Sequence, residues 1–185
     1  MKPVHETSDM PASPAMQADI LAHLDAMGIQ TVTTGHEAAF TVEQSKQITG
    51  GIPGAHTKNL FVKDKKGRLF LVVAEHERSI DLKRLHETIG ASGRLSFGNA
   101  EQLMAHLGVT PGSVTALSVI NDKDGLVTVV LDAALMGESL INCHPLINTA
   151  TTTLPREGLL AFLNATGHTP LIVNLPERDV TSGEG

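Results

Sequence analysis

The stretch NLFVKDKKGRLFLVVA, residues 59–74, decides the fold. Two apolar runs, 59–63 and 68–74, lie on either side of the polar sequence DKKG. Runs of this length and composition favour strands, and a glycine at the end of a short polar connection supplies the positive φ of a tight turn. The sequence therefore predicts a β-hairpin with two largely buried strands.

Helix and strand signals alternate on both sides of this hairpin. Before it, apolar spacing, caps and glycine stops predict a helix from Pro14 to Gly28 capped by Ser13, a strand over 29–34, a helix over 42–49 opened by Thr41, and a loop over 52–57. After it they predict helices over 81–89, 100–107, 133–136 and 155–165, and strands over 114–120, 126–131, 140–143 and 169–175. Helices interspersed among hairpin strands predict a mixed α/β (α+β) fold rather than a parallel sheet.

Length and composition indicate one domain. A chain of 185 residues with 41% hydrophobic residues can bury one continuous core. The polar ends rich in Pro, Ser and Gly bury too little surface to order themselves. We therefore expect a single domain over 14–175 between mobile tails at 1–13 and 176–185.

Charge and aromatic content narrow the partners. The formal net charge is -6, with five Phe and no Trp or Tyr. A broad basic surface for DNA or RNA is therefore excluded, and base stacking cannot be the main mode of binding. Any RNA contact must be local, and DNA is not an expected partner.

Metal, cofactor and membrane signals are absent from the sequence. Cys143 is the single cysteine, and the nine histidines are not closely paired. There is no phosphate-binding glycine loop, no apolar signal region and no stretch long enough to span a bilayer. We expect no metal, no cofactor, no membrane partner and a cytoplasmic location.

Three places carry candidate chemistry. Lys58 follows a glycine-rich loop, as a phosphate-binding lysine would, or it is a solvated strand-end lysine. The tract GVTPGSVTA, 108–116, can converge backbone amides on an oxyanion, or it is an ordinary Pro-Gly turn. His144 with Pro145 gives an imidazole on a rigid turn, or a buried histidine bonded to backbone. Cys143 is interpreted as a structural thiol, so water is the expected nucleophile of any hydrolysis.

Three tracts in this order resemble the YbaK/prolyl-tRNA editing family. They are GIPGAHTKNLFVKDKKGRLFLVV (51–73), LGVTPGSVTALSVIND (107–122) and HPLINTATTTL (144–154), and the resemblance runs from about residue 15 to 173. It implies a mixed, barrel-like sheet flanked by helices. It also implies hydrolysis of the ester between a misattached amino acid and the 3′-terminal adenosine of a tRNA.

The resemblance also implies roles for individual residues. Lys58 matches the family's best-known lysine and would hold a phosphate or ribose group, Asn59 would place the attacking water, and His144 would polarise the pocket. The substrate-binding positions are Thr57, Pro111, Gly112, Ser113 and Pro145. Ala116 stands where many members have the proline of a GxxxP loop, so the rigidity of that loop is not implied.

The resemblance favours a free-standing deacylase of Ala-tRNA(Pro). The expected partners are the acceptor end of mischarged tRNA(Pro) and, transiently, prolyl-tRNA synthetase. Lysines of the first half, among them Lys63, Lys65 and Lys66, either receive the acceptor stem or belong to a solvated turn. Alternatives are a deacylase for tRNA carrying Ser, Thr or Cys, a non-catalytic tRNA- or synthetase-binding module, and a hydrolase of small metabolic esters.

Overall fold

In the part of the chain that the structure describes, a mixed sheet of eight strands packs with five α-helices. The computed structural model describes residues 14–39 and 41–179, so the predicted cap Ser13 and most of both predicted tails lie outside the described residues. The strands are β1 (Val32–Gly35), β2 (Ala55–Lys63), β3 (Leu69–Glu75), β4 (Ser96–Phe97), β5 (Val127–Asp132), β6 (Leu140–Cys143), β7 (Ala150–Pro155) and β8 (Leu171–Val173). The α-helices are α1 (Gln17–Ala26), α2 (Val42–Thr49), α3 (Leu85–Ile89), α4 (Ala100–Leu107) and α5 (Arg156–Ala165). Short 3₁₀ helices span Pro111–Ser113, Ala116–Asn121 and Ala133–Gly137.

The predicted hairpin is confirmed and lies at the centre of the sheet. β2 and β3 pair antiparallel from Thr57 opposite Glu75 to Lys63 opposite Leu69. The strand order is β1-β7-β6-β2-β3-β5-β8, with β4 added to β2. β2–β6, β3–β5 and β5–β8 are parallel, and the other pairs are antiparallel. The predicted mixed sheet flanked by helices is therefore confirmed.

Each face of the sheet carries its own core. Phe61 of β2 belongs to the larger cluster, which α1, α4 and α5 cover, and we call this side the major face. Val62 of β2 belongs to a smaller cluster packed against α3, on what we call the minor face. Successive side chains of a strand point to opposite faces, so β2 contributes to both cores in alternation.

Several predicted boundaries are wrong. The strand predicted over 114–120 is absent, and the 3₁₀ helices at 111–113 and 116–121 occupy this stretch. A buried apolar run has no periodicity that separates strand from helix, and local bonds decide here. The side chain of Thr115 accepts from the backbone NH of Leu117, and the Ser118 hydroxyl donates to the Thr115 carbonyl.

The remaining boundary errors are shorter. The predicted loop 52–57 ends early, because β2 begins at Ala55. The helix predicted from residue 81 begins at Leu85, and the helix predicted from Pro14 begins at Gln17. Near the predicted C-terminal end of the domain, the Asp81 amide donates to the Pro176 carbonyl. Among the described residues no helix is long and apolar enough to cross a membrane.

The hairpin turn is held by one buried carboxylate. Asp64 is 5% exposed and accepts hydrogen bonds from the backbone amides of Lys66, Arg68 and Ser92 and from the Arg68 guanidinium. Burial raises the pKa of the Asp64 carboxyl, but these hydrogen bonds outweigh burial and lower the pKa from 3.8 to about 2. The carboxylate therefore ties the turn to the loop after α3.

We predict that Asp64→Asn lowers the urea midpoint of unfolding at pH 7. A carboxyl whose pKa is lower in the folded state contributes stability that is fully present above its unfolded pKa, near 3.8, and is lost as pH falls through about 2. The difference between variant and natural protein should therefore shrink as pH falls below 4. Asp124→Asn, in an exposed turn, is the matched control. Equal midpoints for Asp64→Asn and the natural protein at pH 7 would contradict this account.

Candidate functional site

A gap in the sheet lies along one edge of β2. On that edge β6 pairs only with Ala55 and His56, and β4 pairs only with Val62 and Lys63. The carbonyl of His56 accepts from the amide of His76, just after β3, whereas the carbonyl of Phe61 accepts from the amide of Gly98, just after β4. Because the backbone polar groups of successive strand residues point to alternate edges, those of the odd-numbered residues point to the gap. The backbone of Asn59 therefore faces an opening between two neighbouring strands.

A small cavity of about 170 Å³ occupies this gap. Asn59 borders it, and Oδ1 of Asn59 is buried without a hydrogen-bond partner among the described residues. Pro111 and Val114 close the cavity on another side. A buried amide oxygen without a partner costs free energy unless a water or ligand donates to it, so Asn59 is equipped to bind a donor in this cavity.

The turn at Pro111–Ser113 separates this cavity from a second one. Gly112 lines a neighbouring cavity of about 440 Å³ together with His144, His36, Asn148 and residues of α2. A Cβ atom on Gly112 would lie 3.1 Å from Nδ2 of Asn148, so glycine allows the two loops to approach. Gly112 and His144 therefore border the same cavity.

His144 is held in one tautomer by backbone. Its Nδ1–H donates to the carbonyl of Ala150 at 3.1 Å, which leaves Nε2 as the acceptor nitrogen of the neutral ring. Burial lowers the pKa of His144 below 6.5, and the charge of nearby His36 lowers it further against the opposing effect of the Ala150 hydrogen bond. The ring is therefore neutral at physiological pH.

The turn after His144 has an unusual backbone. Leu146 has φ of 68°, a left-handed conformation that side-chain-bearing residues rarely adopt. Pro145 before it and Leu146 itself are both buried. Packing of these two residues overcomes the local preference, and it fixes the imidazole of His144 beside the second cavity.

Lys58 lies on the other side of the sheet from Asn59. Asn59 is opposite Val73 of the major-face core, whereas Lys58 is opposite Ala74 of the minor-face core. The Nζ atom of Lys58 donates to the carbonyl of Arg78. The sequence-based expectation of a lysine at the start of the strand is wrong, because β2 begins three residues earlier.

Arg78 is itself anchored. Its Nε lies 2.9 Å from Oδ2 of Asp132, which is fully buried. Its Nη2 donates to the Leu175 carbonyl at 3.2 Å. The carbonyl that receives Lys58 is therefore fixed to the core rather than carried on a free loop. Lys58, which contacts this carbonyl, is a half-buried residue of β2.

Thr57 and Cys143 have structural contacts. The Thr57 hydroxyl donates to the carbonyl of Asn142 at 2.7 Å. Burial raises the pKa of the Cys143 thiol to about 12, and a hydrogen bond with Thr57 lowers it by less. A thiol with that pKa is not a nucleophile at neutral pH, in agreement with the sequence-based interpretation.

Ala116, which replaces the family's loop proline, begins a 3₁₀ helix after the extended residue Thr115. The first position of a helix is where proline fits, and the residue before a proline prefers an extended backbone. The loop therefore has the backbone that a proline would fix, and the Thr115 side chain caps it instead.

The structure brings four of the eight predicted site residues together in two pairs, and Lys58, Thr57, Ser113 and Pro145 border neither cavity. Asn59 and Pro111 border the first cavity, and Gly112 and His144 border the second. Ser113 is buried in the turn between them. Sequence reasoning missed His36 and Thr151, which are joined by a 2.8 Å hydrogen bond beside His144, because nothing local in the sequence marks them.

Two further observations concern the rest of the described chain. Among residues 14–39 and 41–179 no group of three or more His, Cys, Asp or Glu side chains is placed to hold a metal ion. A larger cavity of about 840 Å³, bordered by Val32, Ile52 and Thr153, contains none of the predicted site residues.

Comparisons with known proteins agree with this architecture. The sequence model of the aminoacyl-tRNA editing domain matches residues 36–162. The chain is 38% identical over 167 residues to prolyl-tRNA synthetase associated domain-containing protein 1 of Mus musculus, covering 88% of this chain and 98% of that protein. It is 37% identical over 151 residues to the prolyl-tRNA editing protein ProX of Acetoanaerobium sticklandii, covering 81% and 92%.

A solved structure has the same fold. The crystal structure of a candidate trans-editing enzyme for prolyl tRNA synthetase superposes with a TM-score of 0.66, at 20% identity, over 90% of this chain and 100% of that one. At this identity the likeness shows the fold alone. The chain belongs to the aminoacyl-tRNA editing domain family, as the sequence tracts indicated.

We predict that the His144 imidazole titrates below pH 6.5 and carries its proton on Nδ1 when neutral. Burial opposes the charged form, and the Ala150 carbonyl selects the tautomer. Side-chain ¹⁵N NMR over a pH series measures both properties, with the spectrum of His144→Gln used to assign the resonance. A midpoint at or above 6.5, or a neutral ring protonated on Nε2, would contradict this geometry.

Proposed function

We propose that the protein is a trans-editing aminoacyl-tRNA hydrolase that deacylates mischarged Ala-tRNA(Pro). The observation that carries the proposal is Oδ1 of Asn59, which is buried without a hydrogen-bond partner among the described residues, at a gap in the sheet of an editing-domain protein. The names of the relatives, which refer to prolyl-tRNA editing and to prolyl-tRNA synthetase, support the choice of tRNA(Pro).

In this proposal Asn59 positions the nucleophile. Its Oδ1 accepts a hydrogen bond from a water molecule in the small cavity, and the water oxygen attacks the ester carbonyl carbon. The bond between that carbon and the ribose oxygen breaks, and the water proton passes to the ribose oxygen, either directly or through the vicinal hydroxyl. Since no Asp, Glu or His of the described chain borders the small cavity, the rate enhancement comes from position more than from proton transfer.

In this scheme His144 shapes the site from the second cavity, on the other side of the turn at Gly112 from Asn59. Its Nδ1–H is held by the Ala150 carbonyl, so Nε2 of the neutral ring remains an acceptor that polarises the pocket. The lowered pKa of His144 keeps this acceptor available through the physiological pH range.

Lys58 acts on the nucleotide. Its ammonium group has three donors, of which one is directed to the Arg78 carbonyl, and the others are available to a phosphate or ribose oxygen on the minor face. The RNA end would then lie on the minor face while the aminoacyl group enters the gap toward Asn59. The two neighbouring residues of β2 would thus contact different parts of one substrate.

Size accounts for the proposed selectivity. A synthetase site built for proline cannot reject alanine strongly, since missing methylenes change binding by only about 1–3 kcal/mol. A cavity of about 170 Å³ bounded by Pro111 and Val114 favours a small aminoacyl group and disfavours the proline ring. The cognate product would therefore survive.

The proposal also includes partners and extent. The acceptor end of mischarged tRNA(Pro) is the substrate, and prolyl-tRNA synthetase is a transient partner that presents or recaptures it. Residues 14–175 form the single editing domain that carries the activity. These assignments go beyond family membership, because they name a particular substrate and partner for this chain.

We predict selective hydrolysis of alanyl-tRNA(Pro) over prolyl-tRNA(Pro), seryl-tRNA and alanyl-tRNA(Ala), measured as release of labelled amino acid. Lys58→Ala and Asn59→Ala should each lower kcat/KM by at least about tenfold, as expected for loss of one positioning contact worth roughly 1.4 kcal/mol. Lys123→Ala, an exposed lysine in another turn, is the matched control and should change nothing.

Other outcomes select among the alternatives. Hydrolysis of a seryl, threonyl or cysteinyl ester that depends on Asn59 would keep the site and change the substrate. If every ester survives and tRNA still binds, the protein is a binding module rather than an enzyme. Cleavage of simple amino acid esters at the same rate as charged tRNA would point to a metabolic hydrolase.

A further inference from the structure

One aromatic side chain on the gap is exposed. Phe97 of β4 is 59% exposed, whereas Phe61, Phe70 and Phe162 are buried. Phe97 borders the same small cavity as Asn59. An exposed phenylalanine gains nothing from the core, and in a chain without Trp or Tyr it is the described aromatic residue that can meet a ligand.

Phe97 lies on the same side of the sheet as Lys58. It is opposite Val62, a residue of the minor-face core, and Lys58 and Val62 both occupy even positions of β2. Leu60, between them, also packs on this face and borders the cavity. On the minor face, the ring of Phe97 therefore lies at one end of the gap, and the ammonium group of Lys58 lies toward the other end.

Two lysines lie near β4. Lys63 pairs with Ser96, the neighbour of Phe97, although its side chain, at an odd position of β2, points to the opposite face from Phe97. Lys65 packs along the loop after α3, where a Cβ on Gly93 would meet its side chain. The carboxylate in this turn, Asp64, is buried and bonded to Arg68, so it does not face the ligand. An exposed aromatic ring near lysines is an arrangement with which proteins bind single-stranded nucleic acid.

We propose that Phe97 stacks on the unpaired base of the 3′-terminal nucleotide of the RNA substrate. This inference rests on the proposed function and adds the residue that holds the base. The base lies on the exposed face of the phenyl ring, its ribose lies at the mouth of the gap, and the ester enters toward Asn59. Lys65, in the turn after β2, is the lysine that would meet the preceding phosphates.

The absence of natural Trp and Tyr provides a direct test. Phe97→Trp gives a protein with one fluorophore at the proposed stacking position, and Leu126→Trp, at another exposed apolar residue that does not border the cavity, is the matched control. The probe is an uncharged hairpin RNA with an unpaired 3′ CCA end, compared with the same hairpin whose terminal nucleotide is abasic. We expect saturable quenching of Phe97→Trp by the first RNA, and none with the abasic RNA or with Leu126→Trp.

Substitution by alanine gives the second readout. Phe97→Ala should weaken binding of the CCA hairpin by about 5- to 100-fold, the usual effect of removing one base-stacking side chain, and Phe97→Trp should retain binding. With alanyl-tRNA(Pro) the loss should fall on KM and leave kcat within about twofold. Unchanged thermal unfolding of Phe97→Ala confirms that the fold is intact.

The two proposals fail in different ways. If alanyl-tRNA(Pro) is hydrolysed but Phe97→Ala binds and reacts like the natural protein, the stacking role is wrong and the enzyme assignment stands. If no ester is cleaved but the terminal base still quenches Phe97→Trp, stacking stands and the enzyme assignment falls. Equal quenching by the CCA and abasic hairpins would overturn the stacking role, since it would show backbone contact alone.

Discussion

The site depends on the way β2 is paired. This strand bonds to β3 along most of its length, but on its other edge β6 covers only the first two residues and β4 only the last two. A central strand with an unpaired middle exposes backbone donors and acceptors inside the molecule rather than at its rim. The cavity and the opening that the Asn59 backbone faces both follow from this interruption.

The alternation of side chains along β2 places different chemical groups on the two sides of the gap. Since neighbouring residues of a strand point to opposite faces, Lys58 and Asn59 contact different surroundings although they are adjacent in sequence. The minor face presents an ammonium group and an exposed phenylalanine, and the major face presents an amide oxygen closed in by the turn at Pro111. A substrate with a charged nucleotide and a small acyl group has parts suited to both sides.

The sequence predicted the hairpin, most helices and the mixed sheet, because caps, glycine stops and apolar runs are local signals. It failed at 114–120, where an apolar run is buried as a 3₁₀ helix and side-chain bonds of Thr115 and Ser118 replace strand pairing. The sequence placed Lys58 and Asn59 in one site, because adjacency in sequence does not reveal on which face of the sheet each side chain lies. It did not identify Phe97, since the two-residue strand β4 has no periodicity and its exposure depends on tertiary packing.

The central claim is that the aminoacyl-adenosine end binds at the gap in β2. The most direct measurement is a backbone amide NMR titration with alanyl-3′-amino-adenosine, whose amide link resists hydrolysis. The account predicts saturable shift changes at Asn59, Phe97 and Gly112, and loss of those changes in Asn59→Ala. Shifts confined instead to Val32, Ile52 and Thr153, which border the larger cavity, would contradict it.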